Sequence, residues 1–282
     1  MVGGADEGDA ALSEPAVKAQ QAPDQYVDKF LDDVTLPRVI VRAAECVLLS
    51  QIEMPRPILD VGAGDGTFAA ALFDKPVEVG SDPWEEQLRN AQKLGIYESL
   101  VVAPGDDLPF PDACFATVLC NSTLEHTQEP WTILKEMSRV TRPGGTCVIT
   151  VPSVYFPRYL LGSTLLQAAH LAKAAGYYEA FMNRVSRHVH IRPKADWQQW
   201  LEDAGFEVVA SRYYFSRRNT MALDVSHYIS IPSLITKKLL GRWVLWPEKK
   251  RFLPYRQLLS RFSEPGEDEN EGAYILFHCV KK

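Results

Sequence analysis

An α/β fold, built on a mostly parallel sheet of seven strands with helices on both faces, is what three observations in this sequence predict. From Pro57 onward, short β-rich runs alternate with helical patterns of about ten residues, the beat of parallel strands joined by crossover helices. The first such run, Ile58–Val61, is apolar except for Asp60, as expected of a strand covered on both faces. Three glycines, Gly62, Gly64 and Gly66, then follow at every second position. They stand where the carboxyl end of a parallel strand meets a ligand crevice. With 282 residues the chain is near the size at which one core stops growing, so one domain with insertions is expected rather than two equal ones.

The elements follow in order. Residues 1–23 are acidic and small, with little to bury, and read as a disordered arm. They carry neither the positive start nor the apolar stretch of a signal peptide. The remainder, 24–282, reads as a single domain. Residues 24–56 form two N-terminal lid helices, the second opening near Pro37. Residues 57–152 form the core. Its five strands are PILDV, PVEVGSD, LVVA, CFATVLC and TCVITVP, the last preceded by a turn at RPGG, with helices near 66–73, 84–95 and 130–141. Residues 153–193 and 216–271 interrupt the beat and are substrate-cap insertions; between them lie one more helix and a sixth strand, and AYILFHCV closes the sheet as a seventh.

Composition narrows the function. A net charge of −6 and no known binding module argue against nucleic acid as a partner. The five cysteines are odd in number and form no C-x-x-C pair, and Cys114, Cys120, Cys147 and Cys279 lie in apolar runs where a thiol acts as a small core residue. A reducing, cytoplasmic setting is expected. No run of 18 apolar residues occurs, so no spanning helix is expected.

Glycine lets a ligand approach the backbone closely and permits positive φ. Dinucleotide folds use G-x-G-x-x-G with the pyrophosphate on the helix N-terminus. Here the third glycine comes one residue early, and Asp65 at the mouth of the helix would repel a pyrophosphate. A cofactor carrying an ammonium and a sulfonium but no phosphate tolerates it, and Asp60 suits a cationic amino-acid end. Asp82, about twenty residues beyond Gly62, can accept from ribose hydroxyls in either class.

At these residues, and at GSDPW, LPFPDACFATVLCNSTLEH and EMSRVTRPGGTCVITVP, the chain resembles class I S-adenosylmethionine-dependent methyltransferases of the small-molecule type (methyltransferase type 11-like), from about Pro57 to Pro152. The resemblance implies a Rossmann-like sheet and S-adenosyl-L-methionine as cofactor. It implies that Asp60, Gly62, Ala63 and Gly64 line the methionine part, and that Asp82 with Pro83 and Trp84 holds the ribose and flanks adenine. It also places Asp106, Asp107 and Leu108 along the adenine edge, and Cys120, Asn121 and Ser122 beside the sulfonium, with Glu125 and His126 at the start of the next helix. Two positions depart from the family pattern: Pro104 stands where an acid usually meets the adenine amino group, and Ala116 replaces an acid in the fourth strand.

Transfer to a hydroxyl needs a base, and His126, His188 and His190 are the catalytic candidates. The H-x-H pair also suggests a metal, but no third ligand cluster lies near it in sequence, so none is expected. Tyr26 could close over the cofactor. The expected acceptor is a small or lipid-like metabolite methylated at oxygen; N- or C-methylation, or a non-catalytic cofactor-fold binding protein, are the alternatives. Between 224 and 262, eight basic residues stand against two acids, with Trp243 and Trp246 among them. Such a segment either caps the site or makes peripheral contact with an anionic membrane.

Overall fold

The computed structural model describes residues 22–31, 34–230 and 256–282. The acidic arm up to residue 21 and most of the basic, tryptophan-bearing stretch (231–255) lie outside them. The chain enters through α1 (Pro23–Phe30) and α2 (Leu36–Leu49), each with a proline in its first turn, where the missing N–H costs nothing. The core runs β1 (Ile58–Val61), α3 (Thr67–Leu72), β2 (Val77–Asp82), α4 (Glu85–Leu94), β3 (Tyr97–Val102), β4 (Phe115–Asn121), α5 (Pro130–Val140) and β5 (Thr141–Pro152). Then come α6 (Phe156–Tyr159), α7 (Leu161–Ala168), α8 (Ala172–Val185), α9 (Lys194–Asp203), β6 (Phe206–Tyr214), α10 (Arg217–Ile229), α11 (Arg256–Phe262) and β7 (Tyr274–Lys281).

The sheet order is β3-β2-β1-β4-β5-β7-β6. β1 pairs in parallel with β2 and β4, and β4 with β5. β7 alone runs antiparallel, hydrogen-bonded to β5 on one side and β6 on the other. The sequence-predicted seven-stranded, mostly parallel sheet is the sheet observed.

Two local expectations are corrected. RPGG does not precede the fifth strand as a separate turn. β5 begins at Thr141, opposite Phe115, and its register with β4 then shifts before Thr146 meets Thr117, so Arg142–Gly145 bulge out of the ladder with Gly144 at φ 73°. The third strand begins three residues earlier than LVVA, at Tyr97, which pairs with Val77.

Strand alternation splits the core between the two sheet faces. Leu119, Val148, Tyr274 and Leu276 face the N-terminal helices, which bury Val39, Ile40, Ala43, Val47 and Leu49 there. Val118, Cys120, Cys147, Ile149 and Phe277 face the other way, toward Met137 of α5 and Trp197 and Leu201 of α9. Each fully buried valine or leucine of α2 stabilises its docking by about 1.5–3 kcal/mol, and this fixes the helix over the carboxyl ends of β1 and β4.

Candidate functional site

A cavity of about 200 Å³ opens there, lined by residues of α2, the β1–α3 loop, α4 and the end of β4. Its floor is the glycine loop. Gly62, Gly64 and Gly66 all have positive φ, but their surroundings differ. A Cβ on Gly62 would overlap the Thr123 side chain, and one on Gly66 would lie 2.9 Å from the Ala91 Cβ. At Gly64, among the described residues, the only neighbour within 4 Å would be the Gly62 carbonyl oxygen, so of the three this glycine faces open space. Gly62 and Gly66 serve the fold; Gly64 leaves room for a ligand.

Asp82 holds this loop from below. One carboxylate oxygen accepts from the Gly64 N–H at 3.0 Å and the other from the Trp84 N–H at 2.8 Å. Burial pushes its pKa up, against these two bonds. Asp60 is buried in the cavity wall, where desolvation raises its pKa to about 6 although the Tyr97 hydroxyl donates to it at 2.6 Å. Asp65 also lines the cavity and accepts from the Thr67 N–H and hydroxyl at the start of α3.

The opposite wall comes from α2, and here sequence reasoning missed the decisive residues. Arg38 and Arg42 line the cavity. Arg42 pairs with the fully buried Glu45 at 2.7 Å, and its guanidinium lies over Phe68. Burial opposes the Arg42 charge, but Glu45 and Glu125 outweigh it and hold the pKa above the ordinary arginine value. Glu45 also accepts from Asn121 Nδ2 at 2.9 Å, Ser122 Oγ at 2.8 Å and the Tyr214 hydroxyl at 3.2 Å. One carboxylate thus ties α2, β4 and β6 together. The sequence signal was a lone acid inside the apolar run VIVRAAECVLL, three residues after an arginine.

The structure gathers Asp60, Gly62, Ala63, Gly64 and Asn121 around the cavity, with Asp82 bonded to its floor. Pro83, Asp106, Asp107 and Leu108 do not line it. Asp106 and Asp107 are exposed, whereas Leu108 is buried and its N–H donates to Glu136. Tyr26 does not reach the site; it is buried in the core beneath α1.

Glu125 and His126 do not open the next helix. They form a separate 3₁₀ turn, Leu124–His126, ahead of α5. His126 Nε2 lies 3.7 Å from Glu125, and its ring stacks on His188. His190 is held apart, its Nε2 3.0 Å from the Gln128 carbonyl. Burial depresses the His188 pKa to about 3 and lowers that of His126. Burial pushes Glu125 up to about 8, and among the described residues its Oε2, like His188 Nδ1, is buried with no hydrogen-bond partner. Among the described residues, no group of three or more His, Cys, Asp or Glu could hold a metal ion.

A sheet ordered 3-2-1-4-5-7-6 with β7 reversed, carrying a glycine loop and a strand-terminal acid at its switch point, defines the class I S-adenosylmethionine-dependent methyltransferase architecture. Residues 59–149 match the methyltransferase domain model. A methyltransferase of Mycobacterium avium (strain 104) is 33% identical over 174 residues, covering 57% of this chain and 67% of that protein. One of Mycolicibacterium gilvum (strain PYR-GCK) is 36% identical over 143 residues, covering 50% and 53%. The chain belongs to this methyltransferase family. The match spans 38% of the length of the curated relatives from Mycobacterium sp. strains KMS and MCS and 53% of the M. gilvum protein. The crystal structure of an S-adenosylmethionine-dependent methyltransferase, possible histamine N-methyltransferase, from Thermotoga maritima superposes with a TM-score of 0.58 at 18% identity, covering 92% of this chain and 98% of that one. The [4+2]-cyclase SpnF superposes at 0.53 with 16% identity, covering 85% and 80%. These two show the fold alone.

Proposed function

We propose that this protein transfers a methyl group from S-adenosylmethionine to a hydroxyl of a small or lipid-like metabolite. The observation that carries the reading is the cavity wall: an open Gly64 flanked by the buried Asp60 on one side and two arginines on the other. That donor set fits the methionine end of the cofactor. Asp60 suits its ammonium, and Arg38, whose nearest anion is Asp65 at 3.8 Å, suits its carboxylate. The cavity is smaller than the roughly 300–1,000 Å³ of most small-molecule sites. The nucleoside end would therefore run outward past Asp82 and over the exposed Trp84.

When bound, the cofactor supplies an electrophilic methyl group on a sulfonium. The chain must then align the acceptor, exclude water and take a proton. Alignment falls to the rigid wall of Asn121, whose amide donates to Glu45 and whose Oδ1 accepts from Thr150 at 2.6 Å. For the proton, a base works best with a pKa near the operating pH. His188 at about 3 is too weak a base, whereas Glu125 at about 8 has a free lone pair on Oε2. Glu125 therefore joins the three histidines as a candidate proton acceptor.

The test is incubation with methyl-labelled S-adenosylmethionine and a metabolite extract, followed by mass spectrometry. Labelled product that disappears in Asp82→Ala supports transfer. Tight cofactor binding with no labelled product would leave the non-catalytic alternative. Replacing Glu125 by Gln should lower turnover by about 10²–10⁴ with cofactor affinity kept. Turnover near the parental value would exclude it as the proton acceptor.

A further inference from the structure

The first insertion carries an exposed surface whose residues do not line the cavity at Gly64. On α8, Lys173, Tyr177, Phe181 and Arg184 follow one another at spacings of four, four and three, so they fall on one stripe of the helix. The opposite side, Ala175 and Met182, is buried. The stripe is open: Tyr177 is 79% and Phe181 58% exposed, and Val185, four residues beyond Phe181 on the same helix, is exposed beside it. Contiguous exposed aromatic and aliphatic side chains on a folded protein mark a contact surface.

Charge says what the contact is. The whole chain has a net charge of −6, yet α8 itself holds two cations, Lys173 and Arg184, both on the stripe, against one acid, Glu179. That acid is turned away from the stripe, toward α7, where it accepts from Ser163 and Gln167. A groove of about 450 Å³ on another side of α8 is lined by Arg158, Gln167, His170 and Glu179 together with Ala172, Ala175 and Gly176. Aromatic and aliphatic side chains between cations, on one face of a helix with no free carboxylate, match the polar–apolar boundary of an anionic bilayer. A protein partner would need acids and an apolar cleft in the same arrangement. A bilayer supplies both continuously.

We infer that α8 is the face by which this protein lies on anionic lipid. This goes beyond the methyl-transfer reading and does not depend on it. The full chain should sediment with phosphatidylglycerol–phosphatidylcholine vesicles, not with pure phosphatidylcholine, and less at high salt. The double variant Lys173→Gln/Arg184→Gln should weaken binding about thirtyfold, and Tyr177→Ser/Phe181→Ser should abolish it. Both sites are exposed, so unchanged thermal melts are expected. Absence of binding to anionic vesicles would overturn the inference. So would binding that survives both double variants, which would place the contact on another segment such as 231–255. A concentration-dependent dimer in light scattering that Tyr177→Ser/Phe181→Ser dissociates would overturn it in favour of self-association.

Discussion

Gly64 and Gly66 share a backbone conformation and differ in what lies beyond it. A valine at Gly64 would carry a branched side chain into the cavity; an alanine at Gly66 would press on Ala91 and Tyr97. Gly64→Val should therefore abolish cofactor binding in calorimetry while the variant still folds. Gly66→Ala should lower stability by about 1–3 kcal/mol through overpacking, read by denaturant titration. If both variants lost only stability, the loop would have no ligand role. Asp60 makes a second test at this scale. With its pKa at about 6, its carboxylate is charged above that pH and neutral below it. Cofactor affinity should weaken as pH falls through 6, and Asp60→Asn should bind weakly with no such dependence. The glycines and both acids were legible in the sequence because backbone geometry and strand ends restrict residue choice. That only one of the three glycines faces open space in the cavity was not legible, since it depends on Thr123 and Ala91, which reach the loop through the tertiary fold.

At the scale of the element, α2 completes the site. Its apolar face and proline start could be read along the chain, but the partners of Arg42 and Glu45 could not. Ser122 and Tyr214 lie 77 and 169 residues from Glu45, and nothing local ties them to it. Removing one partner of a buried ion pair strands the other charge, a loss of about 3–5 kcal/mol. Glu45→Ala should show a loss of that size in denaturant unfolding, whereas Glu45→Gln, which can still accept from Asn121 and Ser122, should lose less. An Ala variant within about 0.5 kcal/mol of the parent would show that the network does not hold α2 in place. The histidines illustrate the same limit. Their spacing suggested a shared site, but the coil after α8 stacks His188 on His126 and turns His190 to Gln128.

For the molecule as a whole, the buried titratable groups set opposing pH dependences. Glu125 goes from the ordinary 4.5 in the unfolded chain to about 8 when folded, so the native state binds the extra proton and stability falls as pH rises from about 4.5 to 8. His188 goes from 6.5 to about 3, so the unfolded state binds the extra proton and stability falls as pH drops from 6.5 toward 3. Between pH 6.5 and 8 the Glu125 effect remains without the His188 effect. Glu125→Gln should flatten the stability profile there, and His188→Gln should flatten it below pH 6. Parallel profiles for parent and Glu125→Gln in chemical denaturation would show that Glu125 is not titrating in that range. The sheet itself was legible at this scale because its alternation of strand and helix is periodic; the cap was not, because its helices follow no repeat.

The strand order also bears on how the chain is made. β6 ends at Tyr214, but its only partner strand among the described residues, β7, begins at Tyr274, 60 residues later. At roughly 5–20 residues per second of synthesis, β6 waits for about 3–12 s with its ladder groups unpaired. An emerging chain thus holds an open strand edge, the feature that templates association between nascent chains. Tyr214 donates to Glu45, so the wall of the cavity also waits for that edge to close. Ribosomes stalled between residues 214 and 274 should hold chains that chaperones bind and that do not retain S-adenosylmethionine.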